Sequence, residues 1–297
     1  MNKIVWVNST TSGLCDRLID LSLMSTLASI LGSDLYLQWK EHPPLNEFQR
    51  RVWPIERMED YKIENFKKFF SIPENVKIVN NLNTIDNSYR THYFSDYLGG
   101  VYNSKTFHSR YASTICDFSR FQEEYDKTLH NFKFLGNRSN EIEQFAPNRI
   151  DIGVHLRRTD KITDSPDPFQ ITTDQLTDLE TKTNNFLVSF LESKKGQVNL
   201  FLCSDSEQAL SNFKEKYKSY PDLKIFSSLN HVNGIEKTYF DIYFLSRSET
   251  ILMSQKHSNF SIFSSLIGNK SLVYLYENNL IQNGYFPEFK FYKDVTK

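Results

Sequence analysis

Gly153-Val154-His155-Leu156-Arg157-Arg158-Thr159-Asp160-Lys161 runs off the end of a strand predicted over residues 150–156. Three cationic side chains, Arg157, Arg158 and Lys161, fall within five residues, with His155 just before them. In extended backbone two adjacent arginines point to opposite faces, so one can meet a ligand while the other turns back to a structural partner such as Asp160. A guanidinium donates two parallel hydrogen bonds and matches a phosphate. A fixed one in a dry cleft stabilises the charge that gathers on a diphosphate leaving group. Taken alone, the run reads equally well as a solvated charged turn. Its place at the carboxyl end of a strand favours the ligand.

Around this run strands alternate with helices. Helices are predicted over 173–193, 206–217, 236–248 and 259–267, and strands over 198–203, 223–226, 250–253 and 271–276. The strands are near-continuous apolar runs, as in a parallel sheet covered on both faces. Such sheets bind ligands at the carboxyl ends of their strands. The amino-terminal part opens the same way. Lys3–Val7 reads as a buried strand, and the polar loop Asn8-Ser9-Thr10-Thr11-Ser12-Gly13 follows it. Apolar residues then recur with helical spacing from Leu14 to Leu31, Gly32 stands where a cap belongs, and Asp34–Trp39 is the next strand. Between about 41 and 145 the pattern is weaker: a short strand at Lys77–Val79, loops over Asn80–Asn103, and a helix over Ser119–Phe132.

The chain has 297 residues, enough for two domains with their own cores, and 39% of them are hydrophobic against 24% charged. A net charge of -1 and the absence of a basic-aromatic tract disfavour a nucleic-acid partner. Cys15, Cys116 and Cys203 are odd in number and widely spaced, which implies neither a disulfide framework nor a zinc site. The apolar run near Met1 is too short for a signal peptide or a membrane span, so the expected location is cytoplasmic, peripheral to a membrane where a glycan is assembled on one.

The run from Gly153 to Lys161 resembles the His-x-Arg-Arg-x-Asp signature of the GDP-fucose-dependent fucosyltransferase superfamily, which covers α1,6-, α1,2-, protein O- and nodulation fucosyltransferases. It is most similar to the α1,6 group. Three further stretches match in the same order along the chain. Phe201-Leu202-Cys203-Ser204-Asp205-Ser206 resembles the family's Ser/Thr-Asp at a strand end, with helix capping as the other reading. Asp241-Ile242-Tyr243-Phe244-Leu245-Ser246 resembles the family's helix before the last donor-site strand, and Ser258-Asn259-Phe260-Ser261 resembles the Ser-rich turn opening the following helix, in a form similar to the α1,2 group. Ser12-Gly13-Leu14-Cys15-Asp16-Arg17 resembles the family's Gly-rich turn, with Ser12 and Cys15 where glycines are usual.

The resemblance implies an α/β GT-B fold: two Rossmann-like domains facing a central cleft, residues 1–145 on the acceptor side and 146–297 on the donor side. It implies that the donor site is built from Gly13, His155, Arg157, Arg158, Lys161, Asp205, Ser258, Phe260 and Ser261, with Arg157 on the pyrophosphate. It implies transfer of fucose from GDP-fucose to a glycan hydroxyl, with inversion in one displacement and with no metal or other cofactor. Asp164-Ser165-Pro166-Asp167 lacks the Asp-x-Asp form of metal-dependent transferases. The catalytic base is expected at Asp164, one residue before the family's usual place, with Asp16 as the second candidate. The alternatives are a transferase for another sugar nucleotide and a non-catalytic glycan- or nucleotide-binding protein on the same scaffold. The sequence leaves the acceptor and the oligomeric state open.

Overall fold

The computed structural model describes residues 3–7, 13–40, 62–82, 85, 91–95, 104–135, 146–158, 171–230, 235–256, 258–276 and 289–291. The chain divides into two compact units, one of Met1–Arg50 with Pro54–Leu135 and the other of Arg51–Trp53 with Gly136–Lys297. The domain boundary expected between 145 and 146 borders the stretch 136–145, which lies outside the described residues.

The first unit holds β1 (Lys3–Val7), α1 (Leu14–Ile30), β2 (Leu35–Gln38), α2 (Ile63–Phe69), β3 (Val76–Ile78), β4 (Thr91–Ser95), α3 (Ser104–Phe107) and α4 (Phe118–Leu129). A π-helical turn, His108–Ala112, continues α3. The sheet is parallel, in the order β3-β2-β1-β4. Helix α1 is buried along almost its whole length, because Leu, Ile, Met and Ala recur on every side of it. Within it Arg17 and Asp20 are buried too.

One expectation fails here. The stretch over Asn80–Asn103 contains β4, which pairs in register with β1 from Lys3↔Thr91 to Val7↔Ser95. It is an edge strand, and an edge strand need not read as a long apolar run.

The second unit holds β5 (Ile150–Leu156), α5 (Thr173–Ser193), β6 (Val198–Ser204), α6 (Glu207–Tyr217), β7 (Leu223–Phe226), α7 (Ile235–Arg247), β8 (Ser248–Met253), α8 (Asn259–Gly268), β9 (Ser271–Tyr274) and β10 (Phe289–Phe291). All pairings are parallel, in the order β10-β9-β8-β5-β6-β7. Counted from β5, that is the 3-2-1-4-5-6 order of dinucleotide-binding sheets, and the strand direction of growth reverses between β5 and β8. β5 is buried at all seven positions, as a central parallel strand must be. Ile152, Val154, Leu200, Leu202, Leu252 and Val273 form the centre of the core, and Leu179 and Leu187 of α5 pack onto it.

Helices α7 and α8 cross closely where Gly268 ends α8. A Cβ there would stand 2.1 Å from the carbonyl oxygen of Ser246, so only glycine fits.

Candidate functional site

The switch point of the second sheet gathers His155, Arg157, Arg158, Asp205 and the start of α8, most of the described residues that the resemblance assigned to a donor site. Register sets His155 opposite Cys203 on one side and Met253 on the other, and Leu156 opposite Ser204. The segments leaving β5, β6 and β8 therefore emerge together. Ser254 N–H donates to the His155 carbonyl at 3.2 Å, extending the ladder one residue beyond β8.

Arg158 takes the structural part of the arginine pair. Its backbone N–H donates to Asp205 Oδ1 at 2.7 Å. Its Nη1 donates to the Ser254 carbonyl at 2.7 Å and its Nη2 to Ser254 Oγ at 3.2 Å. Ser254 is fully buried, and its hydroxyl also meets Thr183 Oγ1 at 2.7 Å. Glu180 stands 3.9 Å from Arg158 Nε. These contacts fall on α5, the Asp205 loop and the Ser254 segment; the partner imagined at Asp160 lies outside the described residues. Arg157 is half-buried on the same extended segment.

His155 is buried, and its Nδ1 lies 2.8 Å from Ser261 Oγ and 2.9 Å from Gln255 Nε2. With the Gln255 amide donating to Nδ1, the ring proton sits on Nε2. Burial drives the pKa down to about 3; Asp205 opposes this, and Arg157, Lys237 and Arg158 add to it. The ring is therefore neutral at neutral pH. Phe260 packs against it, the ring centroids 5.0 Å apart.

Ser258 stands at the N-cap of α8 in extended backbone, yet its side chain makes no capping bond. Its hydroxyl is buried and has no hydrogen-bond partner among the described residues, and the same holds for Gln255 Oε1. A buried hydroxyl at the N-terminus of a helix whose Ser261 touches His155 suits an incoming anion. Capping in the Asp205 region falls instead to Ser206, whose Oγ accepts from the Ala209 N–H at 3.2 Å. Asp205 is thus spared that duty.

In the first unit Gly13 is the N-cap of α1. A Cβ at Gly13 would lie 2.6 Å from Asp16 Oδ2, so the carboxylate curls back over the turn that opens the helix. Arg17 is fully buried, donates from Nη1 to the Lys40 carbonyl at 2.7 Å and lies over the Trp39 ring at 5.6 Å. Burial first, and Asp16 second, holds the Asp20 carboxyl well above the usual carboxylate range. Lys161 and Asp164 lie outside the described residues.

The sequence reading missed Lys237, Gln255, Ser254 and Thr183. Lys237 left a trace, a lysine one helical turn before Asp241; the other three are ordinary polar residues that only tertiary packing brings to His155 and Arg158.

Two parallel α/β units, the second with the strand order given above, are the architecture of GT-B fucosyltransferases. NodZ α-1,6-fucosyltransferase soaked with GDP-fucose superposes with a TM-score of 0.54 at 16% identity, covering 90% of this chain and 93% of that one. Fucosyltransferase NodZ from Bradyrhizobium gives 0.50 at 17% identity, covering 90% and 94%. A mutant of Arabidopsis thaliana FUT1 in complex with GDP gives 0.50 at 12% identity, covering 94% of this chain and 71% of that one. No protein-family model and no curated protein matches the sequence. Among the described residues no helix is long and apolar enough to cross a membrane.

Proposed function

We propose that this chain transfers fucose from GDP-fucose to a hydroxyl of a glycan acceptor. The observation that carries the reading is the meeting, at the switch point of the second sheet, of His155, the Arg157–Arg158 segment and the uncapped start of α8. The similar solved structures, described with GDP or GDP-fucose, support the same donor.

In this reading the nucleoside lies toward Asp205 and the diphosphate toward Arg157, Ser258 and the first-turn N–H groups of α8. The acceptor oxygen attacks C1 of the sugar as the bond from C1 to the phosphate oxygen breaks. The electron pair leaves with GDP, and the acceptor proton passes to a carboxylate, Asp164 or Asp16. Attack from the face opposite the diphosphate inverts the sugar. Arg157 and the helix start offset the charge gathering on GDP, so no metal is needed for that purpose. Arg158 holds the loop, and neutral His155 offers its Nε2–H as a donor.

The test is thermal-shift stabilisation by GDP, UDP, ADP and CMP with and without EDTA, followed by a GDP-fucose transfer assay. Ligand at 100 times its dissociation constant adds about 2.7 kcal/mol, a readable shift. A selective GDP shift that survives EDTA supports the reading. A UDP-selective shift transfers the site to another sugar nucleotide. Binding of GDP-fucose without turnover on any glycan would leave a binding protein.

A further inference from the structure

Lys237 stands in the first turn of α7, and its ammonium reaches the carboxyl end of β6. Nζ donates to the Ser204 carbonyl at 3.1 Å and to Asp241 Oδ2 at 2.7 Å. An ammonium has three N–H donors, so one remains beyond these contacts among the described residues. The side chain as a whole keeps 22% of its surface open. Asp241 is also held from its other oxygen by the Ser228 hydroxyl, so the pair is fixed in place rather than swinging at the surface.

The position matters because β6 is the second strand counted from β5. In sheets of this order an acid just after the second strand takes the ribose end of the nucleotide. Asp205 is that acid here, the residue after Ser204, and Lys237 lies close enough for each to feel the other's charge. The spare donor is therefore on the nucleoside side of the site.

We infer that Lys237 reads the nucleobase, donating its third N–H to a ring carbonyl and thereby selecting guanine over adenine. The inference rests on the sugar-nucleotide reading above. Guanine carries a carbonyl acceptor, O6, where adenine carries an amino donor, N6. A lysine donor pairs with the first and meets a donor in the second. Adenine would leave the ammonium without its partner, the costly arrangement in a partly buried site.

The experiment measures dissociation constants by calorimetry for GDP, ADP and 6-thio-GDP, whose sulfur is a weaker acceptor than O6. The full chain is compared with K237M and with the K237M/D241N double variant, which leaves no unpaired carboxylate behind. We expect the unaltered chain to prefer GDP over both other nucleotides, by about tenfold or more. Either variant should lose that preference by weakening GDP alone, with ADP binding little changed. Equal binding of GDP and 6-thio-GDP by the unaltered chain overturns the inference even if both variants fail to fold. So does an unchanged GDP-to-ADP ratio in a folded variant. If the unaltered chain binds no GDP, the donor reading itself fails and the inference goes with it.

Discussion

Arg158, which leaves β5, grips Ser254, which leaves β8, through both the carbonyl and the hydroxyl of the serine. The clasp spans the two strands between which the sheet reverses its order. It fixes the backbone from which Arg157 is presented.

Arg158→Ala leaves the buried carbonyl and hydroxyl of Ser254 short of a donor. The expected cost is about 2–3 kcal/mol in urea unfolding. Arg158→Lys should recover little of it, because an ammonium cannot reproduce the two-pronged contact. Full stability in Arg158→Ala would show that Ser254 is held by Thr183 alone.

Arg157→Ala should behave in the opposite way. Unfolding free energy is expected to stay within about 1 kcal/mol of the parent, while turnover with GDP-fucose falls by about 10²–10³. Normal transfer by this variant would remove Arg157 from the donor site.

The acid limb of the stability curve carries the signature of His155. Its pKa in the fold, about 3, is below its ordinary value of 6.5, so between those values the unfolded chain binds the proton and the fold does not. Stability from this group is full above about pH 6.5 and is lost as pH falls toward 3. Asp20 acts with the other sign: held above its ordinary 3.8, it favours the fold at low pH and loses that contribution as pH rises through its folded value. His155→Asn should flatten the slope between pH 4 and 6 seen in chemical unfolding. An unaltered slope would place the acid sensitivity elsewhere.

Gly268→Ala drives a methyl group into the Ser246 carbonyl, which is backbone and cannot rotate away. Helices α7 and α8 must part, at an expected cost of about 1–3 kcal/mol or more. Thermal unfolding should show a melting temperature lower by several degrees. An unshifted value would mean that the crossing is looser than the contact implies.

The second unit was legible in the sequence because burial on both faces writes itself as apolar runs; Ile150–Leu156 and Val198–Ser204 show it plainly. The edge strand Thr91–Ser95 carries no such run and read as loop. Of the site, His155, Arg157 and Arg158 were legible through a cationic cluster at a strand end. The neighbours that orient them were not: Gln255, Ser254 and Thr183 are 100, 96 and 71 residues away from the groups they touch, and no local pattern encodes such pairings. Buried Arg17 was also hidden, since an arginine amid leucines reads first as an exposed position, and only the Lys40 carbonyl and the Trp39 ring explain its burial.

The strand order also dictates a sequence of events during synthesis. The second sheet starts at its middle: β5 is made first, β6 and β7 extend one side, and only later does β8 arrive on the other. Until Ser248–Met253 has left the ribosome, one edge of the wholly buried β5 has no partner. A chain interrupted between Phe226 and Ser248 would present that apolar edge to its neighbours, and fragments ending there are expected in the insoluble fraction, whereas the full chain closes the edge itself.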